Sequence, residues 1–335
     1  PSGLKPLIDK VNKLGMKFGL WFEPEMVNPN SDLYRAHPDW AYHYDTRESS
    51  LQRHQLVLNL TREDVQEHVF RSMDDMLCEY NIDYIKWDMN RAYSETGGQN
   101  LENSQELWYG HIKAVYEIAD KLKAKHPDLQ IECCASGGGR VDFGSLSHFD
   151  MVWTSDNTDP LDRLEIQDGF SLLYPIKCMR AWVTDTGRDQ RPNDWDFRFN
   201  VTMQGSLSIG GDLSKYDKKV LDIHKKYIEL YKEIRNTVQF GRFYRLANYA
   251  QDKIYATQYV DDEQSVVFLC KDANLFYNDN FLHINLNGLD KDAKYKFEFE
   301  GKKVVYSGAY LMNVGLDFTI WGALQSRILV LKKVK

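Results

Sequence analysis

Nowhere in this sequence does a run of about 18 apolar residues occur, and no charged start leads into a short apolar stretch. Neither a membrane-spanning helix nor a secretory leader can be read from it. Cysteine is scarce: Cys78, Cys133, Cys134, Cys178 and Cys270 form an odd set with one adjacent pair and no repeated spacing. That excludes a disulfide framework, and without C-x₂-C and nearby histidines there is no zinc pattern either. No metal and no cofactor is therefore expected, and a reducing compartment, the cytoplasm, fits best. No basic block stands out, because a net charge of −7 is spread along the chain. This argues against nucleic acid or an anionic membrane surface as a partner. Internal repeats, low-complexity tracts and the glycine patterns of phosphate-binding loops are also lacking.

Aromatic residues, by contrast, are plentiful at 13%, with 20 Tyr and 8 Trp. They serve either large cores or sugar binding, in which flat rings cover the apolar faces of pyranoses; composition by itself favours the cores. A chain of 335 residues has room for one barrel-sized domain plus a smaller one.

Residues 1–236 alternate amphipathic helices with short apolar strands, each strand ending in a polar or small-residue cluster. The predicted helices are Leu4–Leu14, Thr61–Tyr80, Ser104–Lys125, Leu164–Tyr174, Phe197–Met203 and Lys218–Glu233. Thr61 offers a capping pattern at the start of the second. The predicted strands are Met16–Phe22, Tyr84–Trp87, Leu129–Cys134, Met151–Thr154, Ala181–Thr184 and Gly205–Ile209. Continuous apolar strands joined by helical crossovers mean a parallel sheet covered on both faces. Six such units suit an open doubly wound sheet directly, whereas a (β/α)₈ barrel needs two more before residue 1. Residues 237–335 turn to short alternating segments with Asp, Asn and Gly turns, which reads as an antiparallel β-sandwich.

Residues that carry chemistry cluster just after the strands. In Lys86-Trp87-Asp88-Met89-Asn90, Lys86 and Asp88 point to the same side of a strand. An ammonium beside a carboxylate keeps it ionised, as a nucleophile requires; a structural ion pair would look the same. Asp156, in Ser155-Asp156-Asn157, ends another strand, although this run is also good turn chemistry. Asp159 before Pro160 reads as a helix cap. Between the two aspartates, Ser136-Gly137-Gly138-Gly139 allows close approach to the backbone. Trp21 ends the first strand and serves either core or sugar stacking, while Arg53 sits in a loop. Two aspartates at the ends of parallel strands two units apart form the pattern of a carbohydrate-cleaving pair.

The strings GLWFEPEMVNP, HPDW, YIKWDMNR, ECCASGGGR and WTSDNTDP, in this order, resemble the bacterial α-galactosidases of glycoside hydrolase family 36. The resemblance covers roughly residues 1–236, and the C-terminal β region also suits that family's plan. It implies a (β/α)₈ barrel followed by an all-β sandwich. It also implies retention of configuration and terminal α-1,6-galactosides such as melibiose and raffinose as substrates. Position by position it implies Asp88 as nucleophile and Asp156 as general acid/base. The sugar contacts implied are Trp21, Arg53, Lys86, Asn90, Cys134 and the backbone of Gly137 and Gly138. The chain departs from the family's usual G-R-x-Q and V-L-D with Gln52-Arg53-His54-Gln55 and Val57-Leu58-Asn59, keeping the arginine. The family's N-terminal sandwich, its first two barrel strands and an acidic pair for the galactose 4- and 6-hydroxyls have no counterpart here. A fragment of a longer enzyme is therefore expected, with the full-length protein a homo-oligomer. A related retaining glycosidase, a raffinose-pathway galactosyltransferase and a non-catalytic carbohydrate-binding module are the alternative readings.

Overall fold

The computed structural model describes residues 3–97, 105–185, 194–247, 249–273 and 276–334, leaving aside the side chains of residues 250 and 251. Two compact units are present, Pro1–Asp156 and Asn157–Lys335.

In the first unit, helix α1 (Lys5–Lys13) leads into strand β1 (Gly19–Phe22). A small hairpin pairs β2 (Met26–Val27) with β3 (Leu56–Val57) around the short helix α2 (Asp32–Ala36). Helix α3 (Glu63–Glu79), β4 (Tyr84–Trp87), helix α4 (Glu106–Lys125), β5 (Gln130–Cys133), helix α5 (Phe143–His148) and β6 (Met151–Trp153) follow. The four strands β1, β4, β5 and β6 lie side by side in that order, all parallel. Helix α3 buries Val65, Val69, Met73 and Leu77, four residues apart and so on one face. The beginning predicted for α4 at Ser104 lies outside the described residues.

One expectation fails at α3. Thr61 does not cap the helix: Arg62 occupies that position without a side-chain cap bond. Asn59 Oδ1 instead accepts the Thr61 N–H at 3.1 Å and also the Thr61 hydroxyl. This local Asx turn competes for the groups a cap would use. At the helix Pro160–Leu173 the capping expectation holds, with Asp159 Oδ1 accepting the Leu161 N–H at 3.0 Å and Pro160 in the first turn.

The second unit opens with α6 (Pro160–Leu173), the parallel pair β7 (Met179–Val183) and β8 (Ser206–Ile209), and helix α7 (Trp195–Thr202) between them. Helix α8 (Lys218–Phe240) closes the strand–helix alternation. Then come β9 (Arg242–Arg245), helix α9 (Tyr249–Asp252), β10 (Tyr255–Val260), β11 (Gln264–Lys271), β12 (Phe281–Ile284), β13 (Lys294–Phe299), β14 (Lys302–Ser307), helix α10 (Gly308–Asn313), β15 (Leu316–Thr319) and β16 (Gln325–Lys333). An antiparallel six-stranded sheet, β14-β13-β16-β11-β10-β9, packs against the β12–β15 pair. Strand β11 is buried on both faces. Val267 and Leu269 join the core between the sheets, while Val266 and Phe268 pack with Tyr231, Ile234 and Val238 of α8. Within their own units β1 pairs with β4 alone and β8 with β7 alone, so each is an edge among the described residues.

Candidate active site

Parallel register sets the site. Trp21 of β1 stands opposite Lys86 of β4, and Lys86 opposite Glu132 of β5, so the three side chains form a row across the sheet. Lys86 Nζ lies 3.0 Å from Glu132 Oε1 and 4.7 Å from the centre of the Trp153 ring. The Tyr84 hydroxyl donates to Glu132 Oε2.

Asp88 comes one residue past β4, its N–H still held by Phe22 O at 2.9 Å. Its Oδ2 accepts from Trp21 Nε1 at 3.0 Å and its Oδ1 from the Met89 N–H at 2.9 Å. Burial pushes this carboxyl up, but hydrogen bonds from Trp21, Cys134 and Asn90 together with the Lys86 ammonium outweigh it and hold Asp88 below its ordinary value. The reciprocal effect falls on Cys134. Burial first, and then its bond to Asp88, pushes the thiol well up against the opposing pull of Lys86, so it stays an S–H donor. Lys86 thus serves two carboxylates, and the ion pair described for it is with Glu132.

Asp156 is exposed at the end of β6, with Oδ1 accepting from Trp153 Nε1 at 2.8 Å. The indole that orients Asp156 is therefore the one beneath the Lys86 ammonium. The glycine segment after β5 lies against this strand end. A Cβ on Gly137, whose φ is +87°, would stand 3.0 Å from Asp156 N, and one on Gly138 only 2.4 Å from Thr154 O. Any side chain there would push the loop off the strand. Ser136 Oγ, next in the segment, donates to Asn90 Oδ1 at 3.3 Å.

Arg53 is exposed in a two-residue turn closed by Gln55 N–H to Gln52 O at 3.0 Å. Arg53 and His54 have φ of 53° and 60°, a mirror-image turn that ordinarily takes Asn and Gly. Gln55 Nε2 moors it to Glu23 Oε2 at 2.6 Å, just past β1, and the Arg91 guanidinium donates to Gln55 O. The structure thus gathers Trp21, Lys86, Asn90 and Cys134 around the Asp88 carboxylate and sets Gly137 against Asp156 and Gly138 against Thr154. The Arg53 turn is tied to the end of β1.

Glu132, Tyr84 and Trp153 join this arrangement although no local motif marks them as functional. The β4–β5 register is the signal for Glu132, since it pairs Lys86 with that position. Asp74, Cys78 and His126 are the one group at metal-ligand spacing among the described residues. They lie on α3 and just past α4, before the starts of β4 and β5, and thus at the opposite end of β4 from Asp88. The Asp74 carboxylate is already engaged by Lys125 and, at 2.8 Å, by His126.

The melibiase family model matches residues 1–241, and the glycosyl hydrolase family 36 C-terminal domain model matches residues 254–331. The α-galactosidase AgaA of Geobacillus stearothermophilus is 38% identical over 327 residues, which is 95% of this chain and 45% of that protein. Mel36A of Lactobacillus acidophilus, also an α-galactosidase, is 36% identical over 94% of this chain and 43% of its own length. The crystal structure of AgaB from Geobacillus stearothermophilus superposes with a TM-score of 0.93 at 37% identity, covering 100% of this chain and 47% of that one. A structure of a doubly substituted variant of AgaA in complex with raffinose gives a TM-score of 0.92 at 36% identity, with the same coverage of 100% and 47%. The chain spans less than half the length of these relatives. The likeness extends to the fold, part of a (β/α)₈ barrel followed by antiparallel sheets. With a family model covering most of its length and whole-chain likeness to α-galactosidases, this chain belongs to the melibiase family, glycoside hydrolase family 36.

Proposed function

We propose that this chain carries the catalytic machinery of a retaining α-galactosidase, with Asp88 as nucleophile and Asp156 as general acid/base. The observation that carries this reading is the Asp88 carboxylate. It is held ionised by Trp21, Cys134, Asn90 and Lys86 while a second carboxylate, Asp156, ends the strand two places along the sheet.

The chemistry runs in two steps. An Asp88 oxygen attacks the anomeric carbon as the bond to the leaving oxygen breaks, and Asp156 gives that oxygen its proton. The galactosyl ester on Asp88 is then cleaved by water. Asp156, now a carboxylate, takes a proton from the water while Asp88 leaves. Two inversions return the original configuration. A terminal α-1,6-linked galactose, as in melibiose or raffinose, is the proposed substrate, in keeping with the raffinose bound to the related AgaA. In this reading Trp21, Arg53, Lys86, Asn90, Cys134 and the backbone of Gly137 and Gly138 contact the sugar. The barrel domain is residues 1–236 and the sandwich domain residues 237–335. The five free cysteines, four of them buried, suit a cytoplasmic protein, and the full-length enzyme is proposed to be a homo-oligomer.

Trapping the intermediate tests the assignment. A 2-deoxy-2-fluoro-galactosyl fluoride incubated with the full-length protein is expected to leave a covalent sugar on the peptide that contains Asp88. A label on another carboxylate, or β-galactose as the first product by NMR, overturns it.

A further inference from the structure

Two charged residues close to the site have no role in the chemistry above. They are Glu25, after β1, and Arg140, at the end of the glycine segment. Glu25 is fully buried, at 0% exposure. Its Oε1 accepts from Trp87 Nε1 at 2.7 Å and from Arg140 Nη1 at 2.7 Å. Its Oε2 meets Arg140 Nη2 at 2.6 Å and His111 Nε2 at 2.8 Å, with the Tyr42 hydroxyl 3.0 Å from His111 Nδ1 behind it. Four bonds saturate what a carboxylate can accept. One side chain therefore ties the end of β1 to β4, to α4 and to the loop after β5.

Where those ties lead gives the network its meaning. Trp87 directly precedes Asp88 and points to the opposite side of the strand, so whatever anchors the indole also sets how the next residue leaves the sheet. Arg140 closes the segment that begins at Cys134, whose thiol bonds Asp88, and that includes Gly137, packed on the Asp156 N–H. Both carboxylates thus depend on pieces of chain that converge on Glu25. A buried ion pair adds little to stability when compared with apolar residues of the same volume. A bidentate arginine fork does fix direction, which a lone ammonium does not.

We propose that Glu25 is a positioning residue, whose clamp on Trp87 and Arg140 sets Asp88 and the Cys134–Gly138 segment in register for attack on the sugar. The inference rests on the reading of Asp88 as nucleophile. It is tested in the full-length protein by the rate at which the fluorosugar labels Asp88, by kcat and KM on melibiose, and by Tm.

The double variant Glu25→Gln with Arg140→Met removes both charges together. The new amide can accept from Trp87 and donate to His111, so no buried ion is orphaned. Near wild-type Tm is expected, with labelling slowed about a hundredfold, the effect of misplacing reacting groups by about 1 Å. Arg140→Lys, which keeps the charge and loses the fork, is expected to fold and to label about tenfold more slowly, with kcat falling more than KM rises. Wild-type labelling rates in either folded variant overturn the proposal and leave the nucleophile assignment standing. If the wild-type protein takes no label on Asp88, the functional reading falls first and the inference falls with it.

Discussion

Buried charge is handled differently at Glu25 in the first unit and at Lys271 and Arg163 in the second. At Glu25, burial is met by ions of the other sign. Arg140 and His111 overcome the desolvation of Glu25 and hold it far below the usual carboxylate range, and Glu25 raises Arg140 in turn. In the second unit, Lys271 and Arg163 give hydrogen bonds to neutral oxygens. Lys271 donates to Asn280 Oδ1 at 2.8 Å and Ile320 O at 2.9 Å, and Arg163 Nη2 donates to Arg180 O at 3.0 Å. Burial pulls Lys271 down despite Asp279, and lowers Arg163 to about 10. The first arrangement keeps ions ionised at fixed positions, as a site built on carboxylates needs. The second tolerates charge as part of a core that is otherwise apolar.

If that contrast holds, the largest effect belongs to Asp88. Asp88→Ala in the full-length protein is expected to cut turnover by roughly four orders of magnitude or more while leaving the fold intact. Steady-state rates with a melting curve check this, and residual turnover within tenfold of wild type defeats it. Asp156→Ala should lower melibiose hydrolysis by about 10²–10⁴-fold but spare aryl galactosides, whose leaving groups need little protonation. Equal losses on both substrates would contradict the acid/base role.

In the second unit the loss should appear in stability instead. Phe268, fully buried between β11 and α8, is expected to cost about 3–5 kcal/mol on truncation to Ala, with activity per folded molecule unchanged. Chemical denaturation read beside active-site titration separates the two quantities.

Trp21→Phe sharpens the comparison further. Asp88 is depressed, so it is ionised above its folded value and protonated as pH falls through it. Removing the Trp21 donor raises that value, and the acid limb of kcat/KM should move to higher pH. An unmoved limb would show that the bond does nothing for the carboxylate. The smallest effect is at Lys271. Its folded value lies below the unfolded one, so between them the unfolded chain binds more protons and stability rises with pH. Lys271→Met should remove that part of the alkaline slope, as urea titrations over a pH series would show.

Much of this architecture is legible in the amino-acid sequence. The parallel strands of each unit and the Asp159 cap follow from local patterns of apolar residues and turn chemistry. Strand alternation places Lys86 beside Asp88, and it does lower that carboxyl. Its ion pair with Glu132, 46 residues away, depends on the register of β4 on β5, which no local pattern carries. The Glu25–Arg140 fork spans 115 residues and has no periodicity to betray it. The Arg53-His54 turn runs against turn propensity, since neither residue is the Asn or Gly that such a turn ordinarily takes. Its shape comes from moorings at Glu23 and Arg91 that sequence spacing does not record.

The cysteines carry a practical consequence. Of the five thiols only Cys78 is exposed; burial lifts those of Cys133 and Cys270 to about 12 and that of Cys134 well up. A maleimide dye near neutral pH should therefore couple to a single address within this chain. That address sits on α3, at the far end of β4 from Asp88. A reporter attached there could follow folding or motion of the first unit while the end of the strands that carries Asp88 stays untouched.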